Sequence, residues 1–231
     1  MKIRLIQVAG VMLTICLAGT ALSLAADNPL SHDSNYDYDP PVPGSYALPI
    51  IKVAPDGTII DSAGKASNLR DLTHGRITVL SFIYTRCAAP RACPYATGVL
   101  YDLHALSADD EGLAKNLRLV SLSFDPDYDT PQRLASYSGA MREEKSGCEW
   151  HFATTGSRPE LDVILTGYGQ AVDKRSNPND PQGPLYHILR LFLIDREGRI
   201  RNIYSSATLD PRLILADVKT LLLEERKLSK Y

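Results

Sequence analysis

Several features that would place a sequence at a glance are missing from this one. Neither sign of charge dominates: 25 Lys and Arg stand against 27 Asp and Glu in 231 residues, a net charge of −2. No basic field exists to attract nucleic acid, and no nucleic-acid partner is expected. There is no internal repeat, which excludes solenoids and propellers. Cysteine is scarce, with Cys16, Cys87, Cys93 and Cys148 making up the whole complement. The short CxxC spacing of common thiol–disulfide oxidoreductases is missing too, because Cys87 and Cys93 have five residues between them. What remains is ordinary: 44% hydrophobic and 23% charged residues suit a folded globular domain.

The long apolar run lies at the N-terminus. Lys2 and Arg4 precede LIQVAGVMLTICLAGTALSLAA, in which Gln7 is the one strongly polar side chain. A basic end, an apolar stretch and small residues up to Ala25 and Ala26 read as a secretory signal. The rival is an uncleaved membrane anchor over residues 5–26, since roughly 20 apolar residues span a bilayer. Either way the basic end stays inside and the rest crosses the membrane. The expected location is the periplasm or the outer face of the inner membrane. A lipoprotein built on Cys16 is disfavoured by the bulky Ile15 before it. Loss of residues 1–26 removes Lys2 and Arg4 but no acid, taking the net charge from −2 to −4. It also leaves three cysteines in a compartment that permits disulfides, an odd number.

Residues 27–45, DNPLSHDSNYDYDPPVPGS, lack an apolar period and read as a flexible tether. From residue 46 to 231 the pattern is that of one domain. Pro55-Asp56-Gly57, between two apolar runs, predicts a hairpin turn. Ile77 to Tyr84 is a buried strand, followed by a helix with Pro94 in its first turn. Leu117 to Phe124 is the next strand, and Asp129-Thr130-Pro131 opens a second helix. Glu149 to Ala153 is a short strand, and Ser157 with Pro159 opens a helix toward Tyr168. Ile188 to Asp195 and Ile200 to Tyr204 form a hairpin before a last helix from Asp210-Pro211. Strands alternating with helices predict an α/β fold with a central mixed sheet. A thioredoxin-like arrangement with an N-terminal β-hairpin is the simplest match for a cysteine loop between a core strand and the first long helix.

The stretch YTRCAAPRACPYA, residues 84–96, carries the chemistry. A disulfide across so short a loop restrains little unfolded-state entropy. Cys93, at a helix N-terminus, is placed for thiolate chemistry. Arg91 adds a cation nearby, and Pro90 stiffens the loop. Disulfide exchange and soft-metal binding both need thiolates. Two thiolates and an imidazole would suit copper. Of five histidines, His32 lies in the tether, His74 in a turn, His104 on the surface or boundary of a helix and His151 on the sheet surface. His187 enters a strong apolar strand after the loop SNPNDPQGPLY. Cys148 reads as a partly buried thiol, and Asp125 and Asp129 as turn and helix-start residues.

From about Pro49 to the C-terminus these residues resemble the SCO/SenC family of thioredoxin-fold copper proteins. Four landmarks run in the family's order: YTRC followed by Cys93-Pro94; SLSFDPDYDTP from Ser121 to Pro131; Trp150-His-Phe152 with Thr155-Gly156; and His187 eight residues before Asp195 in HILRLFLID. The resemblance implies that Cys87 and Cys93 supply two thiolate ligands and His187 the imidazole. It implies a metallochaperone for Cu(I) or Cu(II), delivering copper to a respiratory oxidase subunit or another exported cuproprotein. Alternatively it would reduce that centre's cysteines first, with a thiol reductant as second partner. Two departures stand out. The family usually has three residues between its cysteines, and it often has an acid where Tyr186 precedes the histidine. The rival functions are a thiol–disulfide oxidoreductase using Cys87 and Cys93, and a redox or copper sensor.

Overall fold

The computed structural model describes residues 38–139 and 147–228. The signal or anchor segment, most of the tether, His32 and Cys16 lie outside the described residues. Among the described residues no helix is long and apolar enough to cross a membrane.

The scaffold is an eight-stranded mixed sheet. In chain order its strands are β1 (Lys52–Val53), β2 (Thr58–Asp61), β3 (Ala66–Asn68), β4 (Ile77–Ile83), β5 (Leu117–Ser123), β6 (Glu149–Thr154), β9 (Arg190–Ile194) and β10 (Arg199–Ser205). Across the sheet the order is β1-β10-β9-β4-β5-β6-β2-β3. Strands β4, β5 and β6 are parallel, in register Val79↔Leu119↔Trp150, while β9 runs antiparallel to β4. A separate two-stranded ribbon pairs β7 (Val172–Lys174) with β8 (Leu185–His187). The helices are α1 (Leu69–Thr73), α2 (Cys93–Ala108), α3 (Glu111–Asn116), α4 (Pro131–Tyr137), α5 (Arg158–Tyr168) and α6 (Pro211–Leu228). This is the expected thioredoxin-like α/β arrangement.

Every residue of β4 is buried, which is why its sequence is a continuous apolar and β-branched run rather than an alternation. Leu80 and Phe82 share a cluster with Val120, Leu122, Phe192 and the Leu161, Ile164, Leu165 and Tyr168 side chains of α5. Strand periodicity turns Val79, Leu119, Leu191 and Leu193 to the opposite face, where α2 packs on β4, β5 and α6. The helix starts are set locally. Thr130 caps α4 and Ser157 caps α5 through their hydroxyls, each with a proline in the first turn. Gly169, with φ +63°, terminates α5 in the left-handed conformation.

The N-terminal hairpin is present but is displaced from the predicted turn. Strand β1 pairs with β10 at one edge of the sheet, whereas β2 pairs with β3 and β6 near the other. The hairpin is β2–β3, turned at Asp61–Lys65 around Gly64. Pro55-Asp56-Gly57 is instead a crossing segment. Asp56 accepts the Arg70 amide, the Gly57 carbonyl accepts that of Leu69, and a Cβ on Gly57 would stand 2.5 Å from Ile164 Cγ1. Glycine is used there for close approach to α5, not for a primed turn.

The folded body also begins earlier than residue 46. Tyr38 donates to Asp210 (2.7 Å), and Arg212 donates to the Tyr38 carbonyl. Gly44 N–H reaches Thr220, and Tyr46 donates to Asp217 (2.5 Å), so this part of the segment read as a tether is strapped along α6.

Candidate metal centre

Cys87 and Cys93 stand where β4 gives way to α2. Two buried carboxylates fix the way in. Asp129, fully buried, accepts the Thr85 amide (3.0 Å), the Thr85 hydroxyl and the Ser123 hydroxyl (2.6 Å). Asp125 pairs with Arg86 at 2.6 Å, and the Arg86 guanidinium lies 3.9 Å over the Tyr128 ring. The two acids of SFDPDYDTP therefore hold Thr85 and Arg86, immediately before Cys87. Sequence reasoning read them mainly as turn and helix-start residues, with a copper-ligand role as the lesser alternative. Their other partners lie 39 and 44 positions away in the chain, beyond any local pattern.

Both cysteines are free thiols. Cys87 is half-buried, and Cys93 is buried in the first turn of α2. The side chains hydrogen-bond to each other, and Cys87 also accepts the backbone N–H groups of Cys93 and Ala89. These donors, the Cys93 thiol foremost, hold the Cys87 pKa down to about 6 against its partial burial. Cys93 is pushed far up, first by its hydrogen bond to Cys87 and then by burial. The longer loop thus folds its amides around one sulfur and buries the other.

His187 ends β8. Its ring lies 4.4 Å from that of Phe124 and donates to the Phe82 carbonyl, while Nε2 is buried without a hydrogen-bond partner. Burial drives its pKa down to about 4, keeping the imidazole neutral and its lone pair available. The β7–β8 ribbon touches the cysteine loop directly: Ala88 N–H donates to Gln182 O, and the Tyr84 hydroxyl donates to Leu185 O (2.8 Å) and Gln182 O (3.2 Å). Sequence reasoning missed both the three-residue strand β7 and this contact.

The structure therefore brings the two cysteines together and docks the ribbon of His187 against their loop. Among the described residues, no three His, Cys, Asp or Glu side chains form a ready metal cage. The donor types nevertheless fit a soft, low-coordinate cation: two sulfurs, one of them readily ionised, and a neutral imidazole nitrogen with no competing bond.

The other described histidines have structural duties. His74 bonds the Arg70 carbonyl, and His151 faces Glu149 at 3.2 Å. His104, expected at a surface or boundary, is buried on α2 beside Trp150. The signal was present, since His104 follows Leu100 by four and belongs to the same helical stripe. Cys148 is buried as well, its N–H bonded to Ser107, and burial pushes its thiol up to about 11. Ser107 lies fourteen residues along α2 from Cys93, about 21 Å at 1.5 Å per residue. That separation is far beyond disulfide reach.

The SCO1/SenC family model matches residues 52–223. The SCO1 protein homolog of Bacillus subtilis (strain 168) is 27% identical over 165 residues, covering 71% of this chain and 79% of that protein. Copper-bound ScoI of Bradyrhizobium japonicum aligns with a TM-score of 0.58 at 23% identity, covering 73% of this chain and 99% of that one. BsSco, described as having a disulfide switch and as a member of the Sco family of cytochrome c oxidase assembly proteins, aligns with a TM-score of 0.59 at 23% identity, covering 77% and 98%. At such identities the structural likeness speaks for the fold.

Proposed function

The chain belongs to the SCO1/SenC family, and from that premise we propose that it is an exported copper carrier whose cargo is held by Cys87, Cys93 and His187. The observation that carries the reading is the pair of unbridged, mutually hydrogen-bonded cysteines, next to a ribbon whose histidine has a buried, unpartnered Nε2. Cu(I) tolerates two or three soft ligands, so a receiving protein's thiolates can displace these donors one at a time. The acceptor is a respiratory oxidase subunit or another exported cuproprotein. The copper-bound ScoI and the oxidase-assembly description of BsSco support that direction. Residues 1–26 carry the chain to the periplasm or the outer face of the inner membrane, where the transfer takes place.

The inequality of the thiols favours a second use of the same pair. The Cys87 thiolate is placed to attack a disulfide in the acceptor, forming a mixed disulfide and releasing one acceptor thiolate. Cys93, on losing its proton, then attacks Cys87 Sγ. The acceptor leaves as a dithiol, and a Cys87–Cys93 disulfide remains for a thiol reductant to reopen. In this reading the protein prepares the acceptor's cysteines before loading them.

Anaerobic competition with a chromophoric Cu(I) chelator tests the carrier reading on the reduced domain from residue 27 onward. One tight equivalent is expected, weakened in Cys87→Ser, Cys93→Ser and His187→Ala. Copper retention unchanged in all three would sink it. Exchange with a disulfide substrate in the absence of copper would then make the oxidoreductase the leading reading.

A further inference from the structure

Resting on the copper reading, we propose that the Tyr84 hydroxyl is the positioning group that sets His187 against the two cysteines. Tyr84 is the residue at which β4 passes into the cysteine loop, three positions before Cys87. Its ring packs 5.0 Å from Phe124, which in turn contacts the His187 ring at 4.4 Å. Its hydroxyl donates to the β7–β8 ribbon, to Leu185 O at 2.8 Å and Gln182 O at 3.2 Å, and it also lies within hydrogen-bond reach of the Cys87 thiol. Leu185 is two residues from His187, so one donor joins the end of β4, just before the first sulfur, to the strand bearing the imidazole. The tie spans 101 positions of sequence.

Two further features converge on the same latch. Ala88 N–H donates to Gln182 O, so the cysteine loop and the Tyr84 hydroxyl share one acceptor on the ribbon. Gly183, with φ +101°, sits between them, and a Cβ there would stand 2.7 Å from the Arg86 carbonyl and closer still to the tyrosine oxygen. The absence of a side chain at 183 is what lets the ribbon approach. A phenylalanine at 84 would keep the ring contacts and lose the latch. The hydroxyl also bonds Cys87, and the double variant with His187→Ala separates an effect through that sulfur from the latch on His187.

Tyr84→Phe is the test, because it removes one oxygen and leaves the packing of the strand intact. Two readouts are taken: Cu(I) competition for the single variants and the Tyr84→Phe/His187→Ala double, and hydrogen exchange of residues 182–188 in the reduced, metal-free protein. Tyr84→Phe is expected to weaken copper retention roughly tenfold, the scale of one lost buried hydrogen bond with some loss of its neighbour. In the double variant the tyrosine change should add little to the histidine change, and ribbon exchange should quicken in Tyr84→Phe while α5 is unaffected. If His187→Ala weakens copper but Tyr84→Phe does not, the latch is overturned and the carrier reading stands. Should His187→Ala have no effect, the imidazole ligand falls. Exchange then decides alone: faster ribbon opening supports the latch, and unchanged exchange overturns it.

Discussion

Cys87 and Cys93 are chemically unequal although the sequence presents them as a pair. The Cys87 sulfur collects the Cys93 thiol, the Tyr84 hydroxyl and two amide donors while remaining half-exposed, whereas Cys93 donates to it, keeps its proton and is buried. Alkylation of the reduced, metal-free protein should therefore modify Cys87 first, with a rate midpoint near pH 6, and leave Cys93 protected at pH 8. Mass spectrometry of quenched samples checks this, and equal rates with a shared midpoint near 8.5 would contradict it. His187 gives a second prediction, on stability. Its folded pKa is depressed to about 4 from the ordinary 6.5, so the unfolded chain takes up a proton first. The associated stability is fully present above pH 6.5 and is lost as pH falls through the window to 4. At about 1.36 kcal/mol per unit, the loss is at most ~3 kcal/mol. Urea midpoints of the metal-free protein at pH 7 and pH 5 should differ, and the difference should shrink in His187→Gln. His187 itself was legible from its place before the LFLID strand; its neutrality was not, because that depends on burial beside Phe124, which outweighs the hydrogen bond to the Phe82 carbonyl that favours the charged form.

At the scale of elements, local chemistry was a good guide and pairing was not. The caps Thr130 and Ser157, the buried run of β4 and the start of α6 at Pro211 all stand where residue type and periodicity put them. The Asp-Gly turn failed because two different demands favour glycine. Gly57 has an ordinary backbone conformation, and what it needs is room against Ile164. Gly57→Ala should accordingly destabilise by about 1–3 kcal/mol through overpacking. Adding Ile164→Ala should make the glycine change nearly neutral, a non-additivity readable in urea unfolding. Simple additivity would mean that the turn conformation, and not the approach of α5, sets the residue. The SFDPDYDTP segment failed in the opposite direction. Thr130 takes the capping duty, which frees Asp129 to bind Thr85 and Ser123 and hold the approach to Cys87. Asp129→Ala should leave the Thr85 and Ser123 donors buried and unpaired, a loss of several kcal/mol at about 1–3 kcal/mol for each unsatisfied group. Thermal unfolding of the metal-free protein measures it.

For the whole molecule, the site and the frame that carries it use different bonds. The cysteine loop is held by Asp125, Asp129 and the ribbon. The N-terminal strap is held to α6 and β10 by Asp217, a buried carboxylate that accepts from Tyr46 (2.5 Å), Tyr204 (2.6 Å) and Asn202 (2.7 Å). None of these partners lies in the cysteine loop or in the β7–β8 ribbon. A family resemblance draws attention to the cysteines and histidine and gives no hint of the strap, whose residues 38–46 read locally as linker. Asp217→Ala leaves three donors without an acceptor and should destabilise by about 3 kcal/mol or more, with part of the loss recovered in Asp217→Asn. Cu(I) retention by the folded protein should be unchanged in both. Tyr84→Phe is expected to weigh the other way, lowering retention roughly tenfold while costing only about 1 kcal/mol of stability. If Asp217→Ala weakens copper in proportion to its loss of stability, the strap is part of the site's support. Independence of the two effects would mean that the proposed copper site can be opened by displacing the ribbon alone, leaving the eight-stranded sheet and its strap undisturbed.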